Sequence, residues 1–465
     1  MEFMHTNGID LRTGKPLFSR VPFDEFMQVF RDRLPYPRED EERRRATTSG
    51  LSKRRRSFAA RTPNLNDPTS VGYGVICAPG GVALLDGALA PLLRIRQVKP
   101  EHRVVFDQAK IGIEEMTDWL DEHFSNPDGP YYWLLVGGPG DVPFDLQWML
   151  DAGKATGRID FTGEAEYAGY AQRVVEAEEK LAAVQGSPPA FFWSTLHDDA
   201  TRLSNWYMCT PLVKKLQSDG LEVAYCEKSD ATVAGFWEGG ARLRRAGLVF
   251  TASHGGALPK DDPEQASLQG ALVAMDGNVA GEQVAKAPSP FPGSVMFNFA
   301  CYSGGTPAHS DFNHWVPQYN LGPYIPEKAF VSHLHRRLVA AANGPLAAIG
   351  HVEPAWVHSF ADPEDPDETV RDPSLDTEWG ERMQPFKTFV DRLVKGYTVG
   401  YAMELFGFLY DRLGNEIARR VNRYLRDTQT DPNVDAEVRK MVALWISRND
   451  YQNYVVFGDP AVRIA

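Results

Sequence analysis

Two apolar runs, each ending in one chemically capable side chain, constrain this chain most. Gly247 to Ser253 leads into His254-Gly255-Gly256, and Ser294 to Ala300 leads into Cys301-Tyr302-Ser303-Gly304-Gly305. A short apolar run rich in β-branched and aromatic residues and closed by glycines reads as a buried strand. In an open α/β sheet, the residues just past the carboxyl ends of parallel strands line the binding crevice. An imidazole and a thiol are therefore expected side by side at one sheet edge. Their separation of 47 residues leaves room for a crossover between parallel strands.

From about residue 70 the chain alternates between the two periods. Strands are expected near 72–77, 102–106, 131–136, 190–194, 221–226, 345–350 and 453–457 besides the two above. Helices are expected over 82–94 (with Pro91 inside it), 112–124, 167–181, 199–218, 231–246, 329–342, 386–424 and 434–448. This order predicts an α/β fold: a mostly parallel sheet flanked by helices, in two subdomains. The expected division is a small α/β subdomain over 69–150 and a catalytic one over 151–465. Residues 1–68 carry Arg43-Arg44-Arg45 and Lys53-Arg54-Arg55-Arg56 with few apolar positions in any period, and read as a basic, flexible N-terminal arm. A Gly-x-Pro turn ends both the strand at 132–136 and the one at 453–457; two such turns do not make a repeat.

Charge excludes some functions. With 62 acidic against 49 basic side chains the net charge is −13, which gives no support for a nucleic-acid surface outside the basic arm. Four scattered cysteines, Cys77, Cys209, Cys226 and Cys301, form neither a disulfide framework nor a CxxC metal pair, and fit a reducing cytosol. No apolar run approaches a membrane span and no leader pattern opens the chain, so a cytoplasmic protein with a peptide or protein substrate and no membrane partner is expected. No cofactor and no metal is expected. Calcium at the acidic stretch 362–381, which holds nine carboxylates, lacks EF-hand spacing.

The chemistry that these residues can perform is thiol acyl transfer. Cys301, followed by a polar glycine-rich turn, is the candidate nucleophile; the other three cysteines sit in or beside regular elements and read as core. His254 would give its proton to a leaving amine and help form the thiolate. Gly255 frees a backbone N–H that, with the N–H of Cys301, could form an oxyanion hole. His309 and His314, in the loop after Cys301, and His351, at the end of the next strand, compete for the histidine role or line the pocket.

Taken together, Ser253 to Gly256, Asn298 to Gly305, the strand-turn Leu135 to Phe144, Ala347 to Trp356 and Phe457-Gly458-Asp459-Pro460 resemble the caspase-like superfamily of cysteine peptidases. Within it they are most similar to gingipain-type and related bacterial proteins. The resemblance implies a Cys-His endopeptidase, in bacterial defence or regulated cell death, with an acid that selects Arg or Lys at the cleaved bond. Asp151 lies near the position of that acid, Asp311 is its rival, and Trp356 matches a pocket-wall aromatic. The Gln-Ala-Cys-x-Gly pattern of animal caspases is absent, and 257–290 has no counterpart in the resemblance. A basic-specific peptidase would also find a site in its own arm, between about 43 and 61. An activator or regulatory partner of the peptidase is left open; the alternatives are a catalytically idle scaffold that binds a peptide or partner, and a DNA-binding protein using the basic arm.

Overall fold

Strands without a polar face must be covered on both sides, and these runs are. The structure, a computed structural model, describes residues 3–18, 21–33, 64–126, 128–181, 186–243, 245–287, 291–312, 321–360, 381–427 and 434–464. Ten strands form one sheet in the order Arg103–Val105, Tyr73–Cys77, Tyr132–Val136, Ala155–Ile159, Tyr454–Gly458, Ala347–His351, Val295–Phe299, Leu248–Ala252, Ala190–Ser194 and Val223–Glu227. Five run one way and five the other. The single antiparallel junction is Ala347–His351 against Tyr454–Gly458.

Alternation along Val295–Phe299 decides what meets each face. Phe297 stacks on Phe250 at 4.9 Å between ring centres, and Phe250 on Phe192 at 5.3 Å, so one aromatic row crosses three strands. Phe386 and Phe389 of helix Gln384–Val394 and Phe406 of helix Val399–Asp427 close over that row. On the opposite face Asn298 accepts from the Thr251 hydroxyl at 2.7 Å and meets His335 Nε2 of helix His333–Ala340 at 2.5 Å. Burial drives the His335 imidazole down to about 3, so the ring is neutral and can accept from the amide. A polar residue inside an apolar strand is thus fully engaged.

Several expected elements are corrected. The helix expected over 82–94 is two, Val82–Asp86 and Ala90–Ile95, with Pro91 in the first turn of the second, where its missing N–H costs nothing. The one expected over 199–218 is interrupted by a π-helical turn, Asn205–Cys209. Strand Ala155–Ile159 had no apolar signature because it carries Arg158, which is fully buried. Its guanidinium donates to Gln147 and to the carbonyls of Gly137, Val142 and Pro143. Residue 150 falls inside helix Phe144–Asp151, and strands from both sides of that boundary share the one sheet.

The largest correction concerns the expected arm. Phe3–Met4 pairs with Val21–Pro22, and helix Phe23–Arg33 buries Phe23, Phe26, Met27 and Phe30. Gly8–Asp10 joins a four-stranded sheet with His254–Ala257, Leu272–Ala274 and Gly277–Val279, which also accounts for part of 257–290. Strands of two or three residues are too short for any period to reveal. The basic runs at 43–45 and 53–56, His314 and the acidic stretch up to residue 380 lie outside the described residues. Among the described residues no helix is long and apolar enough to cross a membrane.

Phe297→Ala should lower unfolding free energy by about 3–5 kcal/mol, read from the denaturant midpoint. A loss under about 1 kcal/mol would contradict the aromatic row as the centre of the core.

Candidate active site

The ends of Leu248–Ala252 and Val295–Phe299 deliver His254 and Cys301 to one edge, as adjacent parallel strands must. Their backbones then nearly touch. A Cβ on Gly255 would stand 1.8 Å from the Cys301 carbonyl oxygen, so only glycine can follow the histidine here. Tyr302 adopts φ 57, an uncommon conformation for an aromatic residue, and bends the chain sharply after the cysteine. Ser303 locks that bend by donating to the carbonyls of Asn298 and Ala300 and accepting from the His351 N–H.

Both N–H groups expected to form an oxyanion hole converge on a single atom. Gly255 N–H donates to the carbonyl oxygen of Asn7 at 2.8 Å, and Cys301 N–H donates to the same oxygen at 3.0 Å. The Cys301 sulfur accepts from the Ala355 N–H at 3.1 Å, and a Cβ on Gly8 would stand 2.8 Å from it. The Asn7–Gly8 peptide therefore lies against Cys301. Burial pushes this thiol well above its ordinary value, the Ala355 N–H opposes the shift, and Asp450 and Glu353 add to it.

His254 is buried, and its Nε2 donates to Asp198 Oδ2 at 2.9 Å. This fixes the tautomer: Nδ1 carries the lone pair, and it has no hydrogen-bond partner among the described residues. Asp198 caps helix Asp199–Ser204 by accepting from the Thr201 N–H at 3.1 Å. Burial alone would raise its carboxyl, but the hydrogen bond and charge of His254, together with Thr201, hold it well below the usual carboxylate range.

The sequence reading missed Asp198, which the structure sets against His254. The signal was present, since Asp198-Asp199 follows the strand next to that of His254 and opens a helix. Asn7, Ser204 and Ala355 were missed as well, because nothing in their local sequence links them to the strand ends.

The remaining candidates sort by what they touch. His351 is buried behind the site; its Nε2 lies 3.1 Å from Asp450 Oδ1, which accepts the Trp356 N–H at 2.8 Å. It thus braces the loop that carries Ala355 rather than competing with His254. Trp356 is buried among Phe18, Phe26 and Phe312, and its backbone bridges to Thr6. Asp311 offers its N–H to Glu353, a buried acid whose carboxyl burial raises well above its ordinary value. His309 is exposed, 3.9 Å from Asp145.

Asp151 is the clearest displacement from expectation. Its carboxylate takes the Thr156 hydroxyl, Gly407 of helix Val399–Asp427 packs against its carbonyl, and it lines a small pocket with Trp148, Met403 and Tyr451. Three strands, Ala347–His351, Tyr454–Gly458 and its own neighbour Ala155–Ile159, separate it from the strand of Cys301.

No family model matches the chain, and no curated protein matches its sequence. Among solved structures, one named Structure of Protease is similar over 88% of this chain and 81% of its own length, with a TM-score of 0.51 and 13% identity; this shows the fold alone. The complex of the pro- and mature domains of RgpB from Porphyromonas gingivalis aligns with 84% of this chain and 79% of its own, with a TM-score of 0.47 and 13% identity.

Burial raises the Asp151 carboxyl from 3.8 to about 7, against Thr156 and Arg158, which lower it. The folded state then holds a proton that the unfolded chain releases, so stability is full below the unfolded value and falls as pH rises toward about 7. Asp151→Asn should flatten that fall in melting temperature between pH 4 and pH 8 while leaving the His254–Cys301 pair intact. An unchanged pH profile would contradict a desolvated Asp151 carboxyl.

Proposed function

We propose that the chain is a cysteine peptidase in which Cys301 is the nucleophile, His254 the proton carrier and Asp198 the residue that orients and charges His254. The observation that carries this reading is the convergence of the Gly255 and Cys301 N–H groups on one carbonyl oxygen at 2.8 and 3.0 Å, beside a thiol. Two fixed donors at that distance suit the oxyanion of a tetrahedral intermediate, and removing one such donor costs about 10²–10³-fold in rate.

The order of events follows from the tautomer. Nδ1 of His254 takes the proton from the Cys301 thiol, and the sulfur attacks the carbonyl carbon. The developing oxyanion is held by the two N–H groups, and the imidazolium is stabilised by Asp198. His254 then passes the proton to the leaving nitrogen, and water hydrolyses the thioester.

The preference for Arg or Lys expected from Asp151 is not part of this reading, because that carboxyl takes the Thr156 hydroxyl and its residue lies three strands away from the strand of Cys301. The idle-scaffold alternative has one observation in its favour, the burial of Cys301, which pushes its thiol well above the ordinary value. Kinetics separates the two.

Cys301→Ala and His254→Ala should each abolish hydrolysis of a peptide library read by mass spectrometry, with circular dichroism unchanged. Asp198→Asn should lower kcat by about 10⁴-fold, since the wrong tautomer is then favoured. Hydrolysis that survives in Cys301→Ala would overturn the assignment, and an undiminished kcat in Asp198→Asn would remove Asp198 from it.

A further inference from the structure

We propose that the Asn7–Gly8 peptide bond is this enzyme's own first substrate, and that the pocket around the Asn7 side chain selects asparagine at the cleaved bond. The inference rests on the peptidase reading above and deepens it. The segment before Gly8 lies in the cleft as a bound peptide would.

Residues 5–7 add as an antiparallel strand to the loop after the strand Ala347–His351. Asn7 N–H donates to the Ala355 carbonyl at 3.0 Å, Thr6 bridges Trp356, and Val357 N–H donates to the His5 carbonyl at 3.1 Å. Strand addition of this kind supplies affinity through the backbone and leaves specificity to alternate side chains. The Asn7 carbonyl is the one that receives the two oxyanion donors. Immediately after it stands the only residue type that clears the nucleophile, since a Cβ on Gly8 would meet Cys301 Sγ at 2.8 Å and Leu17 at 2.6 Å.

The side chain of Asn7 is completely buried. Its amide nitrogen donates to Ser204 Oγ at 3.1 Å and to the Ser253 carbonyl at 3.2 Å, and its Oδ1 has no partner among the described residues. A hydroxyl and a main-chain carbonyl match a neutral amide donor. Neither of those two contacts carries a charge to pair with an ammonium or guanidinium, and a carboxylate would face the Ser253 carbonyl, so both lose on desolvation.

The two sides of the bond are anchored differently. Gly8 to Leu17 form a hairpin on the strand His254–Ala257, with Leu17 N–H on the Gly8 carbonyl, Leu11 N–H on Ala257, Tyr324 hydroxyl on Asp10 at 2.8 Å and Arg12 paired with Asp262 and Glu264. That side stays in place when the bond is cut. The acyl side holds the cleft that an external peptide would use, so the site accepts other substrates only after the segment ending in Asn7 leaves.

The step balances without further reactants. Cys301 Sγ bonds to the Asn7 carbonyl carbon, and the bond from that carbon to the Gly8 nitrogen breaks. The thiol proton passes through His254 Nδ1 to the Gly8 amine. Water then releases the Asn7 carboxylate and returns the proton to sulfur.

The test incubates the purified full chain and its Cys301→Ala variant and measures both by denaturing mass spectrometry. A chain truncated to begin at Gly8 is assayed beside them against acetyl-Met-His-Thr-Asn-aminocoumarin and its Arg and Lys counterparts. The expected result is a wild-type chain that begins at Gly8, an uncut Cys301→Ala chain, and turnover of the Asn peptide at least about a hundredfold above the others. Asn7→Gln should slow the self-cleavage by about tenfold or more.

An uncut wild-type chain that hydrolyses any of the three peptides would overturn the in-cis substrate and leave the peptidase standing, as would cutting at another bond. Preferential turnover of Arg or Lys would overturn the asparagine pocket. Absence of hydrolysis in every chain, with Cys301 of the truncated chain unreactive to iodoacetamide, would overturn both.

Discussion

The approach of two backbones at Gly255 and Cys301 is the constraint on which the site depends. A Cβ at residue 255 would overlap the Cys301 carbonyl, so the strand ends can only meet where a glycine follows the histidine. That meeting aims two N–H groups at one point and sets the sulfur beside it. The aromatic row behind it, Phe192, Phe250 and Phe297, fixes the register of the same strands. A shift of one residue in either strand would turn the thiol or the imidazole to the other face.

Around that point, buried polar groups brace the loops rather than react. His351, Asp450 and the Trp356 N–H form a chain that positions Ala355, whose N–H meets the sulfur and whose carbonyl receives Asn7. The terminal Gly458-Asp459-Pro460 turn has a similar structural use. Asp459 is buried and receives the Tyr73 hydroxyl, the Arg96 guanidinium and the Ala461 N–H, which joins the last strand to the far half of the sheet. Removing one partner of such a buried pair costs about 3–5 kcal/mol.

What the sequence made legible was whatever an apolar period or a glycine could announce. The strands ending in His254 and Cys301 were readable because every residue in them is buried. The strand Ala155–Ile159 was not, because Arg158 is buried by four acceptors drawn from elsewhere. The N-terminal segment was read as an arm because Phe3–Met4 and Gly8–Asp10 are too short to show alternation. Asp151 and Asp198 show one limit from two sides: an acid at a helix end can be placed near a sheet edge from the sequence, but not the group it will face. One proved to lie under a helix, and the other against the imidazole.

The central claim is that Gly255 and Cys301 form an oxyanion hole beside a reactive Cys301. A crystal structure of the chain beginning at Gly8, reacted with the aldehyde of acetyl-Met-His-Thr-Asn, tests it most directly. The account predicts a hemithioacetal on Cys301 Sγ whose oxygen sits within hydrogen-bond distance of both N–H groups, with His254 Nδ1 facing the reacting carbon. An unmodified Cys301, or an adduct whose oxygen points away from those two donors, would contradict it.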